Sequence, residues 1–279
     1  MCWFRATLLL ILAGNAWAER GDYVIGGGAE GDTADGLAVA AMIDYAVGDE
    51  TWLSASVARN TADLPLELKF ETWYADVGID HWFGPLGLRV GTAYWGDDDI
   101  LDSRDYVASA YWRSEAATFS FDYERRDFEL DIAGSQFFPG RSVDFFADGI
   151  GASASFDIGD KASVSLNGMS FNYSVNLAID ENAPLRDLLG VSRLGLLNSL
   201  VEYRFATTFG LDAGDSRWSV SYARWKGAVD QGVTNSLTLR FLTPLGDSSD
   251  VELGLGQDSS ESYGDVTFFS VFLYFYGGS

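Results

Sequence analysis

The chain of 279 residues carries 18 Lys and Arg against 41 Asp and Glu, a formal net charge of −23, with one histidine and one cysteine. So acidic a surface repels a phosphate backbone, which excludes nucleic acid as a partner. The lone cysteine, Cys2, excludes an internal disulfide and a cysteine-ligated metal. Acidity alone names no partner, since a secreted soluble protein, a halophile's surface and a cation-attracting pore all share it.

Residues 1–18 read as a cleaved secretory signal peptide, with Arg5, an apolar run from Ala6 to Ala13, and Ala16, Trp17, Ala18 as a small-x-small cleavage site. The run is far short of the roughly 20 residues of a spanning helix, and no later stretch approaches one. Cys2 precedes the apolar run, so it is not a lipid-attachment site and leaves with the segment. Residues 19–279 are then expected to form one domain, and any passage through a membrane must be made by strands.

Tyr23 to Glu30 is the first strand, broken in texture by Gly26, Gly27 and Gly28. No GK[ST] or GxGxxG context with a following helix accompanies the triple, which excludes a phosphate loop. Leu37, Val39, Ala41, Ile43, Tyr45 and Val47 then alternate, with Asp44 on the other face, and Gly48, Asp49, Glu50 turn the chain into Thr51 to Arg59. From Glu67 to Phe83, Trp73, Ala75, Val77 and Ile79 oppose Asp76 and Asp80. After Gly84 to Gly87, Leu88, Val90 and Thr92 oppose Arg89.

The clearest pair lies between Asp105 and Arg126. Tyr106, Ala108, Ala110 and Trp112 alternate with Asp105, Ser109, Tyr111 and Arg113, and after Ser114, Glu115, Ala116 the aromatics Phe119, Phe121 and Tyr123 interleave with Asp122, Glu124 and Arg126. The strand extends past Asp127 and breaks at Pro139 and Gly140. Phe146 to Asp157 and Ala162 to Asn167 follow. Behind Pro184 the period changes, and Leu185, Leu188 and Leu189 predict the one helix, within 176–198. Alternation returns over Val201 to Phe209, Trp218 to Tyr222, Leu237 to Phe241, Val251 to Leu255 and Val266 to Tyr276.

Short connections near Asp49, Pro85, Glu115, Asp160, Gly214 and Asp247 alternate with long ones near Ala34, Ala62, Asp98, Phe138, Ala183, Asp230 and Ser260. This order predicts an all-β fold, a transmembrane antiparallel up-and-down β-barrel of about 14 strands, with 12 to 16 possible, and both termini at the short-turn end. A soluble sandwich would place large residues on both inner sheet faces. Here the second face is mostly Gly, Ser, Ala, Thr and charge, which fits a polar interior inside an apolar outer band.

The chain resembles the outer-membrane β-barrel proteins of Gram-negative bacteria, in particular the small monomeric porin type of about fourteen strands. The likeness rests on alternation, turn order and the terminal run Thr267, Phe269, Val271, Leu273, Phe275, and departs from the family in Gly277, Gly278 and Ser279 after the last aromatic. It implies export through the periplasm, contact with outer-membrane lipid, and periplasmic chaperones and the barrel assembly machinery as partners in biogenesis. No family motif identifies a substrate.

The expected interior face carries Asp44, Asp76, Asp80, Asp122, Glu124, Asp157, Glu202 and Glu252 against Arg89, Arg113, Arg126, Arg204 and Arg240. An acidic excess there predicts an outer-membrane channel for passive or weakly cation-selective diffusion of small solutes. The alternative is a barrel plugged by these same side chains, serving as a membrane anchor or surface-interaction protein. The 176–198 segment either enters the lumen or lies outside it. No cofactor and no metal site is expected. Asp97, Asp98, Asp99, Asp102 and Asp105 lack the ligand spacing and turn glycine of a calcium loop. An enzyme is not expected either: no GxSxG elbow occurs, and His81 falls on the lipid side beside Trp82 and Phe83.

Overall fold

The computed structural model describes residues 21–63, 69–97, 101–132, 141–175, 200–262 and 264–278. The expected signal peptide and the expected helix within 176–198 lie outside the described residues, as do Asp98, Asp99, Pro139 and Gly140. Fourteen strands are present: β1 Tyr23–Asp32, β2 Leu37–Gly48, β3 Thr51–Asp63, β4 Lys69–Phe83, β5 Leu86–Gly96, β6 Leu101–Arg113, β7 Ala117–Ile132, β8 Arg141–Ile158, β9 Ala162–Tyr173, β10 Val201–Ala213, β11 Ser216–Gly227, β12 Val233–Pro244, β13 Ser249–Ser260 and β14 Gly264–Gly277. Each pairs antiparallel with its sequence neighbours, and β1 pairs with β14 to close the barrel. Closure satisfies every strand edge, which is the condition for a sheet to stand in hydrocarbon, where an unpaired amide costs several kcal/mol.

Alternation decides which face is which. Val57, Val77, Val90, Phe121, Ile150, Leu237, Leu255 and Phe269 are exposed on the outside. Their sequence neighbours Ala58, Thr238 and Ser270 are buried within, as is Glu124 three residues after Phe121. Short turns join the strands at one end, and Gly84, Gly159 and Gly214 adopt positive φ there, as tight hairpins of right-twisted strands require. The strands run further than strict alternation indicated. β7 and β8, of 16 and 18 residues, exceed the roughly 9–11 that cross a bilayer. Their surplus lies at the long-connection end, where the outer face changes from Phe119, Phe121 and Tyr123 to Arg125, Asp127 and Glu129. Several connections expected to be long are consequently brief, 33–36 and 97–100 among them.

The glycine triple belongs to the closing seam. Gly26 and Gly28 face inward, where a Cβ on Gly28 would collide with the Val271 carbonyl and the Phe272 ring, and one on Gly26 would lie 3.0 Å from both Met42 and Tyr274. The glycines let the two aromatic rings lie flat against β1. Gly277 likewise sits beneath the Tyr23 ring, which accounts for a glycine directly after the terminal aromatic run.

Candidate functional site: the barrel interior

Two charge clusters occupy the interior. In the first, Arg89 of β5 faces three carboxylates from β2 and β4. Its Nη1 lies 3.6 Å from Asp80 Oδ2, and Asp44 and Asp76 are close enough to act on it electrostatically. Ser54 accepts a hydrogen bond from Arg89 Nη2 at 3.4 Å, and the Ser56 hydroxyl donates to Asp76. Small residues make the room, since Gly78 lies directly beneath the guanidinium. Tyr111 on β6 stands beside Arg89 and Asp80 and stacks on Trp82 at 5.8 Å, while Arg113 rests 4.1 Å above the Trp82 ring. Asp122 of β7 accepts from Ser120 at 2.8 Å and lies near Tyr111.

The second cluster spans the interior. Arg204 of β10 donates to Glu124 Oε2 of β7 at 3.0 Å, although β8 and β9 lie between those strands. A side-chain contact between strands three apart must cut a chord across the inside. Glu124 also accepts from Arg126 Nε at 2.6 Å, and Asp105 of β6, bonded by Ser103 at 2.5 Å, lies 4.0 Å from the same nitrogen. Phe171 of β9 forms the floor, 4.3 Å from the Arg126 guanidinium and 5.4 Å from that of Arg204. Gly149 of β8 is required here, because a Cβ would lie 2.5 Å from the Phe171 ring. Arg126 is only 3% exposed and Glu124 6%. So deep a set of charges persists because carboxylates and guanidinium groups are matched two to two and hydrogen-bonded.

Above this brace, toward the long connections, Phe128 stacks on Phe145 at 4.8 Å and on Tyr173 at 6.3 Å, and the Tyr173 hydroxyl donates to the Val201 carbonyl at 2.9 Å. Trp95, Leu101 and Val229 complete an apolar cluster inside the barrel. This cluster was not legible as interior. Phe145 and Phe146 are adjacent aromatics, and alternation gave the outer place to one without identifying the other as an inner anchor.

Of the remaining expected lining residues, Arg240 and Glu252 pair loosely at 3.9 Å between β12 and β13. Asp157 is exposed one residue from the short-turn end of β8. Glu202 departs from the expected face. A bulge between Val201 and Tyr203 shifts the alternation, and Glu202 reaches Lys226 at 2.5 Å on the outer side, while Trp225 takes the inner one. Asp102 and Asp105 point to opposite faces, Asp102 accepting from Tyr94 at 2.8 Å outside, so the acidic run does not converge. No group of three or more metal-ligating side chains occurs among the described residues. His81 lies on the outer face, hydrogen-bonded through Nδ1 to Thr51 at 2.7 Å and packed edge-on against Phe83.

No protein-family model matches the chain, and no curated protein matches it by sequence. Solved structures do. The CymD monoaromatic hydrocarbon channel aligns at a TM-score of 0.59 with 8% identity, covering 94% of this chain and 89% of its own. Outer-membrane expressed OmpT of Vibrio cholerae aligns at 0.52 with 8% identity, over 92% and 97%. At such identities the likeness speaks for the fold, and it spans nearly the whole of both chains. The chain has the closed antiparallel barrel fold of outer-membrane proteins, here with fourteen strands.

Proposed function

We propose that the protein is an outer-membrane channel that passes small solutes by passive diffusion with a weak preference for cations. The observation that carries this reading is the imbalance around Arg89: three carboxylates, Asp44, Asp76 and Asp80, meet one guanidinium on the inner wall. A carboxylate excess on a low-dielectric wall raises the local concentration of cations and repels anions. The brace of Asp105, Glu124, Arg126 and Arg204 contributes no net field, because its two carboxylates and two guanidinium groups cancel. It instead holds the β8 and β9 sector against β7 and β10 and narrows what remains.

The test is single-channel conductance of the refolded mature chain in a planar bilayer under a salt gradient. Discrete steps with a reversal potential of cation sign support the proposal. Silence from folded, inserted protein overturns it in favour of a plugged barrel serving as an anchor. A second reading draws on the apolar cluster of Trp95, Phe128, Phe145 and Phe171 near the long-connection mouth, which would favour small apolar solutes over ions. Uptake of a monoaromatic hydrocarbon into vesicles, faster with the protein than without it and unaccompanied by ion conductance, would select that reading.

A further inference from the structure

The outer wall is not uniformly convex. A depression of about 590 Å³ crosses strands β2 to β6, and most of its lining residues have the outward parity. Its floor is made of short side chains, Ala41, Ala55, Ala75 and Thr92, while Ile43, Val57 and Val77 rise beside them. Register explains the shape. One row of paired positions reads Ile43, Ala55, Val77, Thr92, Tyr106, and the adjoining row reads Ala41, Val57, Ala75, Tyr94, Arg104. Large and small side chains are therefore offset between the rows, leaving a trough along the hydrogen-bonding direction. Five strands about 4.8 Å apart give it a length of roughly 19 Å. Because barrel strands tilt by roughly 40°, the trough runs obliquely and covers roughly 12 Å of depth, which fits within one leaflet, half of a hydrocarbon core about 30 Å thick.

The trough has a charged end. Arg104 lies three residues from the long-connection end of β6, exposed, and is flanked by Tyr94 and Tyr106. Its neighbours of opposite sign are engaged elsewhere: Asp127 accepts from Arg125 at 2.8 Å and Asp102 from Tyr94. Among the described residues, the other cations of this outer band are engaged as well: Arg59 by Glu71 at 2.6 Å, Arg125 by Asp127 and Asp148, Lys226 by Glu202, and Arg224, which has no ion pair, by the Tyr203 and Tyr222 side chains. Arg104 makes no ion pair among the described residues.

We infer that this trough binds an anionic, phosphate-bearing acyl lipid of the outer leaflet, with one chain lying over the alanine floor and the phosphate on Arg104. The inference rests on the outer-membrane reading but not on the barrel being an open channel. The geometry accounts for both parts of such a molecule: the apolar trough descends from a guanidinium placed at headgroup height, and a tyrosine stands at either side of that guanidinium. A second copy of the chain fits less well. A two-fold contact centred on the trough would set two concave faces together, leaving a void between them and each Arg104 against the apolar β2 end of the other copy.

The experiment is native mass spectrometry of the refolded mature protein in detergent micelles with bis-phosphorylated lipid A as the probe. Dephosphorylated lipid A and inorganic phosphate serve as comparison ligands. Retention of the phosphorylated probe alone is expected, with Arg104→Ala and Ala75→Phe each lowering the bound fraction about tenfold. Heat-modifiable gel mobility reports that both variants fold. Equal retention by wild type and folded Ala75→Phe, equal retention of the dephosphorylated lipid, or a dimer in place of a lipid adduct would each overturn the inference. Localisation is read separately by cell fractionation, so a misplaced protein is distinguished from an unoccupied trough.

Discussion

The two interior charge clusters are built from the same residue types on the same face of alternating strands, yet they perform opposite tasks. Around Glu124, two carboxylates and two guanidinium groups cancel, lie deep, and are floored by Phe171 and capped by Phe128 and Phe145. Around Arg89, three carboxylates meet one guanidinium, and the Arg89 and Asp80 side chains keep 17% and 18% exposure. The first cluster gains from being closed, because buried charges are tolerable only when matched. The second has an uncompensated field, which acts on whatever shares the lumen. Charge on an inner wall is thus brace or lining according to stoichiometry and cover, not residue type.

The largest effect that would break this contrast is on the brace. Arg126→Met leaves Glu124 and Asp105 to Arg204 alone, and loss of one member of a buried charge network costs about 3–5 kcal/mol. Urea unfolding of the refolded protein in micelles should show it, with the sign of the reversal potential unchanged. A loss below about 1 kcal/mol would mean that the cluster is hydrated and braces nothing. Phe145→Ala removes a ring stacked at 4.8 Å from a position 6% exposed and should cost about 3 kcal/mol. Because that ring lies inside the mouth, single-channel conductance should rise in the same variant.

The lining answers the other way. Asp80→Asn combined with Asp122→Asn should shift stability by less than about 1 kcal/mol, since both side chains are partly hydrated. The reversal potential should move toward zero. An unchanged reversal potential in this double variant would remove Arg89's surroundings from the conduction path.

Much of this was legible from residues alone, and the failures have identifiable causes. Period-two alternation gave the strand count, the faces and the short turns, because a barrel wall in lipid leaves no alternative place for Val57, Phe121 or Leu255. Alternation was blind to chords. Nothing in the spacing of Glu124 and Arg204, eighty positions apart, says that they meet, and only closure of the barrel brings β7 and β10 within reach. It also failed at Glu202, where one extra residue in β10 reverses the parity of Val201 and Glu202 relative to Arg204 and the residues after it. The inner aromatics at Phe128 and Phe145 lay where the strands leave the bilayer, and there the contrast between lipid and lumen that produces the pattern fades.

The smallest effect is also the most discriminating, because it uses salt in place of mutation. Mobile ions screen over about 10 Å at 0.1 M and about 3 Å at 1 M. At a fixed concentration ratio across the bilayer, the cation preference contributed by Asp76, Asp80 and Asp122 should therefore shrink as absolute salt rises. The brace is 3–8% exposed at the Arg126 and Glu124 side chains and is closed to mobile ions. The stability difference between wild type and Arg126→Met should be nearly the same at both salt concentrations. If that difference falls with salt in parallel with the reversal potential, the two clusters share one aqueous space and the division between brace and lining fails. If the reversal potential alone falls, the lumen is wet beside Arg89 and dry beside Arg126, which is the arrangement that the matched and unmatched charges require.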